Sequence, residues 1–355
     1  MKGTATRSAD EIADTIEAAG GSLGSDSGNN SLSVSARILA PDLALGVELL
    51  ADVVMHAAFP EKAVAREKDV QLASIKADEE EMTSAARNTM RSQIFGEHPF
   101  GLRTLGTPES VAAISREDLA AFRDQLLCGE NCVLSVFGAV SAQEVLAIVT
   151  RTLGALPRGV LALSTIPQPA PLVADIDATE FKPKTQAVLM LGYPGIDLFS
   201  PDRAALELID EACSDLGSRL FNRIREEMGL AYFVGSSNLL GLARGCFTFY
   251  VGTDPAKVAE VRAALAGEVA ALAIGGLTLE ELVRAKEKLL GAQEIRNQSD
   301  GALAFSCALD ELYGLGHSHY RTLRARVEAV TLEQVREVAA RTFTQPCVAV
   351  TVRPE

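Results

Sequence analysis

The feature that most constrains this chain is that its second half repeats its first. Residues 59–74 (FPEKAVAREKDVQLAS) align without a gap with residues 277–292 (LTLEELVRAKEKLLGA). Residues 111–138 align with residues 327–354 with one gap, and each stretch is typical of a capped helix followed by a strand. The chain therefore consists of two copies of one unit of about 150–180 residues, which is an ordinary size for a protein domain.

Strand and helix signals alternate loosely within each copy. Ser8-x-x-Glu11 is a capping box that starts a helix over residues 8–19, and a second box at Ser115 starts a helix that leads into a predicted strand, NCVLSVFGA (131–139). Residues 31–40 alternate apolar and polar side chains as a half-buried strand does. The short connection between two strands near 232–252 indicates antiparallel pairing. We therefore predict an α+β fold of two homologous domains, each a mainly antiparallel sheet packed with helices.

The stretch from 157 to 184 differs from its surroundings because it contains five prolines. Proline removes a backbone donor and opposes regular secondary structure. We therefore expect an interdomain linker without a regular element at 157–184, between an N-terminal domain over 1–156 and a C-terminal domain over 185–355.

Composition excludes several classes of partner. The formal net charge of −14 disfavours nucleic acid and anionic membrane surfaces and favours basic ligands. No apolar run approaches the roughly 18 residues of a membrane span, and residues 1–20 do not have the layout of a signal peptide. We expect a soluble protein, cytoplasmic as the chain is written or periplasmic if a signal peptide precedes it. The six dispersed cysteines are expected to be small buried thiols rather than disulfides or metal ligands.

Two short motifs are more specific than the fold pattern. The chain opens with KGT-x-x-R (residues 2–7), followed by a helix, GG-x-L and a strand, and its second half contains SRLFNRIREEMGLAY (residues 218–232). Together with the duplicated halves and the proline-rich connection, these motifs resemble the M16 metallopeptidases, the family of pitrilysin, insulinase and mitochondrial processing peptidase. The resemblance covers the whole chain and implies the M16 (LuxS-like) fold.

The resemblance also implies where zinc would bind. In the family, H-x-x-E-H on a helix directly before the KGT segment supplies two histidine ligands and the glutamate base. Residue 1 stands just after that place, so domain 1–156 is expected to lack its first strand or strands and this helix. The family's third ligand, a glutamate, corresponds to Ser74 here, and a neutral hydroxyl is a poor zinc donor. Asp78 and Glu81, one and two turns further on, are expected to lie too far away to replace it. We therefore expect no metal ligand and no cofactor in this chain, with zinc held by a partner subunit.

A second implied site lies in the other half of the chain. Arg225 and Tyr232 are seven residues apart, as are the family's Arg and Tyr that face the zinc and bind the substrate backbone and the developing oxyanion. The alternative is that Arg225 pairs with neighbouring acids and that Tyr232 is a core aromatic at the start of a strand.

Peptide binding is implied for a third segment. Residues 20–30 correspond to the family's edge strand, which receives an extended substrate by strand addition, so the candidate substrate-binding residues are Gly21, Ser22, Leu23 and Gly24. The family commonly has GG-x-L-N-A, and this chain departs from that pattern after Leu23.

These features favour a non-catalytic subunit that supplies Arg225 and Tyr232 in trans to the active site of a zinc-bearing M16 partner, or of a second copy of itself, in peptide hydrolysis. The acidic charge favours basic peptides as substrates. Two alternatives stay open. One is an M16 metalloendopeptidase whose start is truncated or misassigned at Met1. The other is a purely structural subunit, as the family-related core proteins of respiratory complexes are.

Overall fold

The computed structural model describes residues 1–159 and 166–355. Its strands are β1 (Ser22–Ser27), β2 (Leu32–Arg37), β3 (Ile176–Phe181), β4 (Ala187–Pro194), β5 (Phe233–Leu239), β6 (Cys246–Thr253) and β7 (Val348–Arg353). Its α-helices are α1 (Ala9–Ala18), α2 (Leu43–Met55), α3 (Glu61–Glu80), α4 (Met82–Phe95), α5 (Pro108–Ala113), α6 (Arg116–Leu126), α7 (Ala142–Thr152), α8 (Arg203–Cys213), α9 (Val258–Gly275), α10 (Leu279–Arg296), α11 (Asp300–Leu312), α12 (Leu323–Ala329) and α13 (Leu332–Phe343). A π-helical segment, Phe221–Glu227, lies between α8 and β5.

The chain divides into two compact units, each assembled from separate stretches. The first unit comprises Met1–Ala73, Thr107–Thr165 and Ile295–Arg321, and the second comprises Ser74–Gly106, Ile166–Glu294 and Thr322–Glu355. The units interleave along the sequence, and the domain boundaries at 156 and 185 stay predictions.

The first unit is mainly helical and contains an antiparallel hairpin. Strands β1 and β2 pair from Ser22 opposite Arg37 to Ser27 opposite Leu32. Helix α1 precedes the hairpin and begins at the predicted capping box, in which Ser8 and Glu11 bond each other's backbone amides. Helices α2 and α7 pack together through a small apolar core around Leu43, Val47 and Ile148.

The second unit is built on a five-stranded sheet in the order β3-β7-β4-β6-β5. Only β3 and β7 are parallel, and the other neighbours are antiparallel. Helices α8, α9 and α13 cover one face, against side chains such as Leu189 and Phe249, and α4 covers the other, against Met190 and Val350. Because β4 has a neighbour on each edge and helices on each face, all eight of its residues are buried. The predicted α+β architecture with mainly antiparallel pairing is confirmed.

The two sequence copies share contacts as well as residues. The repeat aligns Lys68 with Lys286, and each lysine lies on the second long helix of its copy. Lys68 Nζ donates to the Ala112 carbonyl at 2.9 Å, and Lys286 Nζ donates to the Glu328 carbonyl, also at 2.9 Å. Ala112 and Glu328 are themselves aligned by the repeat. Corresponding lysines therefore bond corresponding backbone carbonyls in the two copies.

The predicted strand at 131–139 is wrong. Residues 132–137 form no ladder with any other segment that the structure describes, although the backbone is extended at Cys132 (φ −125°, ψ 138°). Their counterpart in the second copy is β7, which has β3 on one side and β4 on the other. A strand requires partners as well as a favourable sequence, and among residues 1–159 and 166–355 only the second copy supplies them. For the same reason Cys132 is exposed, which corrects the expectation of buried thiols, whereas Cys128, Cys213, Cys246 and Cys307 are buried and free.

The proline-rich stretch also contains a regular element that we did not predict. Strand β3 occupies 176–181, in the proline-free interval between Pro171 and Pro183. Its side chains alternate between half-buried and exposed, as at the edge of a sheet. The part of the predicted linker at 160–165 lies outside the described residues.

Across residues 1–159 and 166–355, no single helix is both long and apolar enough to span a membrane. One bent pair of helical stretches, Pro255–Gly275 with Leu279–Arg296, passes the length and composition criteria together, with an angle of 98° between its parts.

Candidate functional site

The segment that carries Arg225 is anchored at its start by Arg219. The Arg219 guanidinium is largely buried between two carboxylates, 3.7 Å from Glu268 and 3.6 Å from Glu281, and donates to the Gly276 carbonyl at 3.3 Å. These contacts fix the segment against the turn between α9 and α10. Sequence reasoning missed Arg219, although it belongs to the SRLF stretch that carried the resemblance.

The Arg225 side chain points outward from the π-helical segment Phe221–Glu227. Its guanidinium lies over the ring of Phe221, 4.7 Å from the ring centre, and 42% of the side chain is exposed. The neighbouring Glu226 carboxylate is 3.9 Å away, too far for a hydrogen bond. Stacking on an aromatic face orients an arginine without neutralising it. Phe221 was also missed from the sequence, although its spacing of four from Arg225 places both on one helical face.

The turn after this segment positions Tyr232. Gly229 has a φ of +62°, which ends the helical segment and sends the chain back toward the sheet. The hydroxyl of Thr253 donates to the Leu230 carbonyl at 2.6 Å, and the backbone amide of Tyr232 donates to the Gly252 carbonyl at 2.8 Å. The next residue, Phe233, pairs with Gly252 in the β5–β6 ladder, so the backbone on both sides of Tyr232 is tied to β6.

The side chain of Tyr232 is exposed by 51%, so it is not a core aromatic. It directly precedes β5 in the same unit as Arg225, and the Gly229 turn separates the two residues. A guanidinium and a phenol held on a rigid backbone and open to solvent can bind a carbonyl oxygen or an anion.

The KGT-x-x-R motif is a clamp on the end of α2. The buried Asp52 carboxylate accepts from the Thr4 hydroxyl at 2.9 Å and from Arg7 Nη1 at 2.6 Å, and His56 Nδ1 lies 3.2 Å away. Burial disfavours the ionised form, but the hydrogen bonds from Thr4, Arg7 and His56 outweigh it and hold the pKa of Asp52 below its usual value. Thr4 and Arg7 of the motif therefore have a structural role, because they fix the N-terminal segment to α2.

The residues around Ser74 do not fit a zinc site. Ser74 is exposed on α3. The carboxylates one and two turns further on already have other partners: Asp78 accepts from the Asn88 amide at 2.8 Å, and Glu81 accepts from the first amides of α4 as its N-cap. Throughout the two described stretches, no group of three or more His, Cys, Asp or Glu side chains is placed to hold a metal ion. Zinc needs such a donor set, so these residues do not provide a site for metal-assisted chemistry.

The candidate peptide-binding residues lie at the start of the first hairpin. Ser22, Leu23 and Gly24 belong to β1, which pairs only with β2 among the described segments. Gly21 stands just before the strand, at a point where an added Cβ would lie 2.7 Å from the Arg37 carbonyl. The geometry is that of an edge strand, which can accept another strand.

Comparison with known proteins finds M16 peptidase domains in both halves of the chain. Residues 1–108 match the family model described as insulinase (peptidase family M16), and residues 113–289 match the model described as peptidase M16 inactive domain. An uncharacterised zinc protease of Mycobacterium leprae is 31% identical over 96% of this chain and 77% of its own length. The uncharacterised zinc protease YmxG of Bacillus subtilis is 26% identical over 100% of this chain and 86% of its own. The crystal structure of a peptidase M16 inactive domain from Pseudomonas fluorescens has a TM-score of 0.93 and 26% identity, covering 100% of this chain and 86% of that one.

Proposed function

The chain belongs to the M16 peptidase family, and on that premise we propose that it is a non-catalytic subunit that donates Arg225 and Tyr232 to the active site of a zinc-bearing M16 partner. The observation that carries the proposal is the pairing of two properties in one chain. Arg225 and Tyr232 are exposed, Arg225 is stacked on Phe221, and the backbone amide of Tyr232 is bonded to β6. The position of the third zinc ligand, in contrast, is a serine whose neighbouring carboxylates are engaged elsewhere.

The chemistry assigned to the pair is recognition of peptide and of developing charge. The Arg225 guanidinium, stacked on Phe221, offers donors to the substrate's backbone carbonyls, and the Tyr232 hydroxyl offers one more to the oxyanion that forms at the scissile carbonyl. Such donors act most strongly when they are already in place before the reaction. The anchoring of Arg219 and the ties between Tyr232 and β6 support that preorganisation.

Reconstitution tests this proposal. The chain is mixed in turn with each M16 subunit from its genome that carries H-x-x-E-H, and cleavage of a quenched fluorescent peptide library is followed with basic and acidic sublibraries. We expect activity that needs both subunits and requires zinc on the partner. Arg225→Ala and Tyr232→Phe should each lower kcat/KM by about 100- to 1000-fold, as loss of an oxyanion donor does.

Arg66→Ala is the matched control for Arg225. Arg66 is also exposed, and its nearest carboxylate, that of Glu67, is likewise the next residue at 3.9 Å. We expect this variant to reconstitute fully. Complexes that are fully active with both Arg225→Ala and Tyr232→Phe would rule out the donation and favour a structural subunit. Stoichiometric zinc and peptidase activity in the chain alone would favour a metallopeptidase in its own right.

A further inference from the structure

The last residue of β6 is a threonine that continues a row of buried apolar side chains. Phe247, Phe249 and Val251 alternate along the strand, and all three belong to the main apolar core of the second unit. Thr253 follows them in the same row and is 0% exposed. Burying a hydroxyl is unfavourable unless it forms a hydrogen bond. Valine would therefore serve the packing at this place, and the hydroxyl needs another reason.

The hydroxyl of Thr253 bonds the turn that leads to Tyr232. It donates to the Leu230 carbonyl at 2.6 Å, and Leu230 is itself buried. In the described part of the chain, no other donor bonds that carbonyl. Because water has little access to a buried residue, loss of the hydroxyl would leave this acceptor unpaired. The backbone two residues before Tyr232 therefore depends on Thr253.

Tyr232 enters β5 through a β-bulge. Its backbone amide donates to the Gly252 carbonyl at 2.8 Å, while the ladder between β5 and β6 pairs the next residue, Phe233, with the same Gly252. Two residues of one strand therefore face one residue of the other, which is the arrangement of a bulge. The ring of Phe233 lies over Gly252, where an added Cβ would be 2.2 Å from a ring carbon. A glycine at 252 leaves room for this ring.

The bulge determines the direction in which Tyr232 points. Side chains alternate along a regular strand, so Tyr232 would share a face with Val234 and Ser236. Both of those residues are buried, whereas the side chain of Tyr232 is 51% exposed. An extra residue in one strand breaks the alternation and redirects a side chain. The exposure of the phenol therefore depends on the bulge.

We propose that Thr253 is a positioning residue, which holds the bulge and thereby directs the Tyr232 hydroxyl toward the substrate. Thr253 fixes the Leu230 carbonyl, and its neighbour Gly252 accepts from the Tyr232 amide, so consecutive residues of β6 hold both ends of the bulge. The consequence for catalysis rests on the proposed function. The effect of Thr253 on Tyr232 is a property of this chain alone and is measured without a partner.

Fluorine NMR of the chain labelled with fluorotyrosine tests the effect of Thr253 on Tyr232. The chain has five tyrosines, and the resonance that disappears in Tyr232→Phe is that of Tyr232. Thr253→Val removes the hydroxyl and keeps the shape of the side chain, so the Tyr232 resonance should shift by more than its linewidth. Thr253→Ser keeps the hydroxyl and should leave the resonance in place. Thr248→Val, at another buried threonine of β6, is the matched control and should also leave it in place.

Kinetics of the reconstituted complex test the consequence for catalysis. Displacing a catalytic group by about 1 Å can cost about 100-fold in rate. Because Tyr232 is assigned to the developing oxyanion, Thr253→Val should lower kcat by about 10- to 100-fold and change KM by less than about twofold. Thr253→Ser should recover kcat. Circular dichroism confirms that each variant is folded, and a loss of stability alone would not separate kcat from KM in this way.

Two results would overturn the proposal: an unchanged Tyr232 resonance in folded Thr253→Val, or an equal loss of kcat in Thr253→Val and Thr253→Ser. If Thr253→Val does not fold, Gly252→Ala tests the bulge from its other side, because the new methyl group meets the Phe233 ring. An unmoved Tyr232 resonance in that variant would also overturn the proposal. A shifted resonance together with a fully active Tyr232→Phe complex would support the positioning by Thr253 and contradict the proposed function only.

Discussion

The guanidinium of Arg225 lies 4.7 Å above the ring centre of Phe221, four residues earlier in the same π-helical segment. Single π-helical turns occur frequently at functional sites. Here the segment places a cation at the surface and holds its orientation with an aromatic side chain.

This stacking predicts that Phe221 affects catalysis in the reconstituted complex through Arg225. Phe221→Leu keeps an apolar side chain but removes the ring, so we expect kcat/KM to fall by about 2- to 5-fold, the equivalent of roughly 0.5–1 kcal/mol. Phe221→Tyr keeps the ring and should retain full activity. The prediction rests on the proposed function, and an active Phe221→Leu complex beside an inactive Arg225→Ala complex would show that the stacking is dispensable.

A side chain at Gly229 is expected to destabilise the protein through backbone strain and not through a steric clash. Its φ of +62° is the left-handed conformation, and an added Cβ would meet no atom within 4 Å. Gly229→Ala should therefore lower the free energy of unfolding by about 1–2 kcal/mol. Urea denaturation measures the change.

Gly267 provides the matched control for Gly229. It lies on an exposed turn within α9, where an added Cβ also meets nothing within 4 Å and φ is not positive. Gly267→Ala should stabilise the protein by about 0.5–1 kcal/mol, because alanine is the better helix former. Equal effects at the two glycines would contradict the assignment of strain to Gly229.

The clamp around Asp52 predicts a dependence of stability on pH. Its folded pKa is lower than the unfolded value of about 3.9, so its stabilising contribution is complete above that unfolded value and is lost as the pH falls through the folded pKa. Asp52→Asn should cost about 1–3 kcal/mol at neutral pH and little under acid conditions.

Thermal unfolding from about pH 2 to pH 7 measures the effect of Asp52→Asn. Asp14→Asn, at an exposed acid of α1, serves as the control and should follow the unsubstituted protein at each pH. Parallel curves for Asp52→Asn and the unsubstituted protein would show that Asp52 is not the group responsible.

Local signals in the sequence predicted the helices well. The capping boxes at Ser8 and Ser115 begin α1 and α6 as expected, because a cap depends only on residues a few positions apart. Strands were less predictable. The same apolar pattern forms β7 in one copy and no strand at 132–137 in the other, since pairing depends on partners that are remote in sequence.

The candidate site was predictable in its residues but not in its geometry. The motif identified Arg225 and Tyr232, and their exposure excludes the interpretation of Tyr232 as a core aromatic. The π-helical turn, the Phe221 stacking and the burial of Arg219 between Glu268 and Glu281 depend on how the segment docks against α9 and α10. The spacing of residues in the sequence does not predict how the segment docks against these two helices.

The residue immediately before β1 is Gly21, and the residue immediately before β5 is Tyr232. At Gly21 the neighbouring Arg37 carbonyl leaves no room even for a methyl group, whereas Tyr232 carries a large exposed phenol into its strand. The entry to a strand can therefore differ greatly in side-chain size between two copies of one fold. Comparing the copies then shows which side chains belong to the shared fold and which have changed in one copy alone.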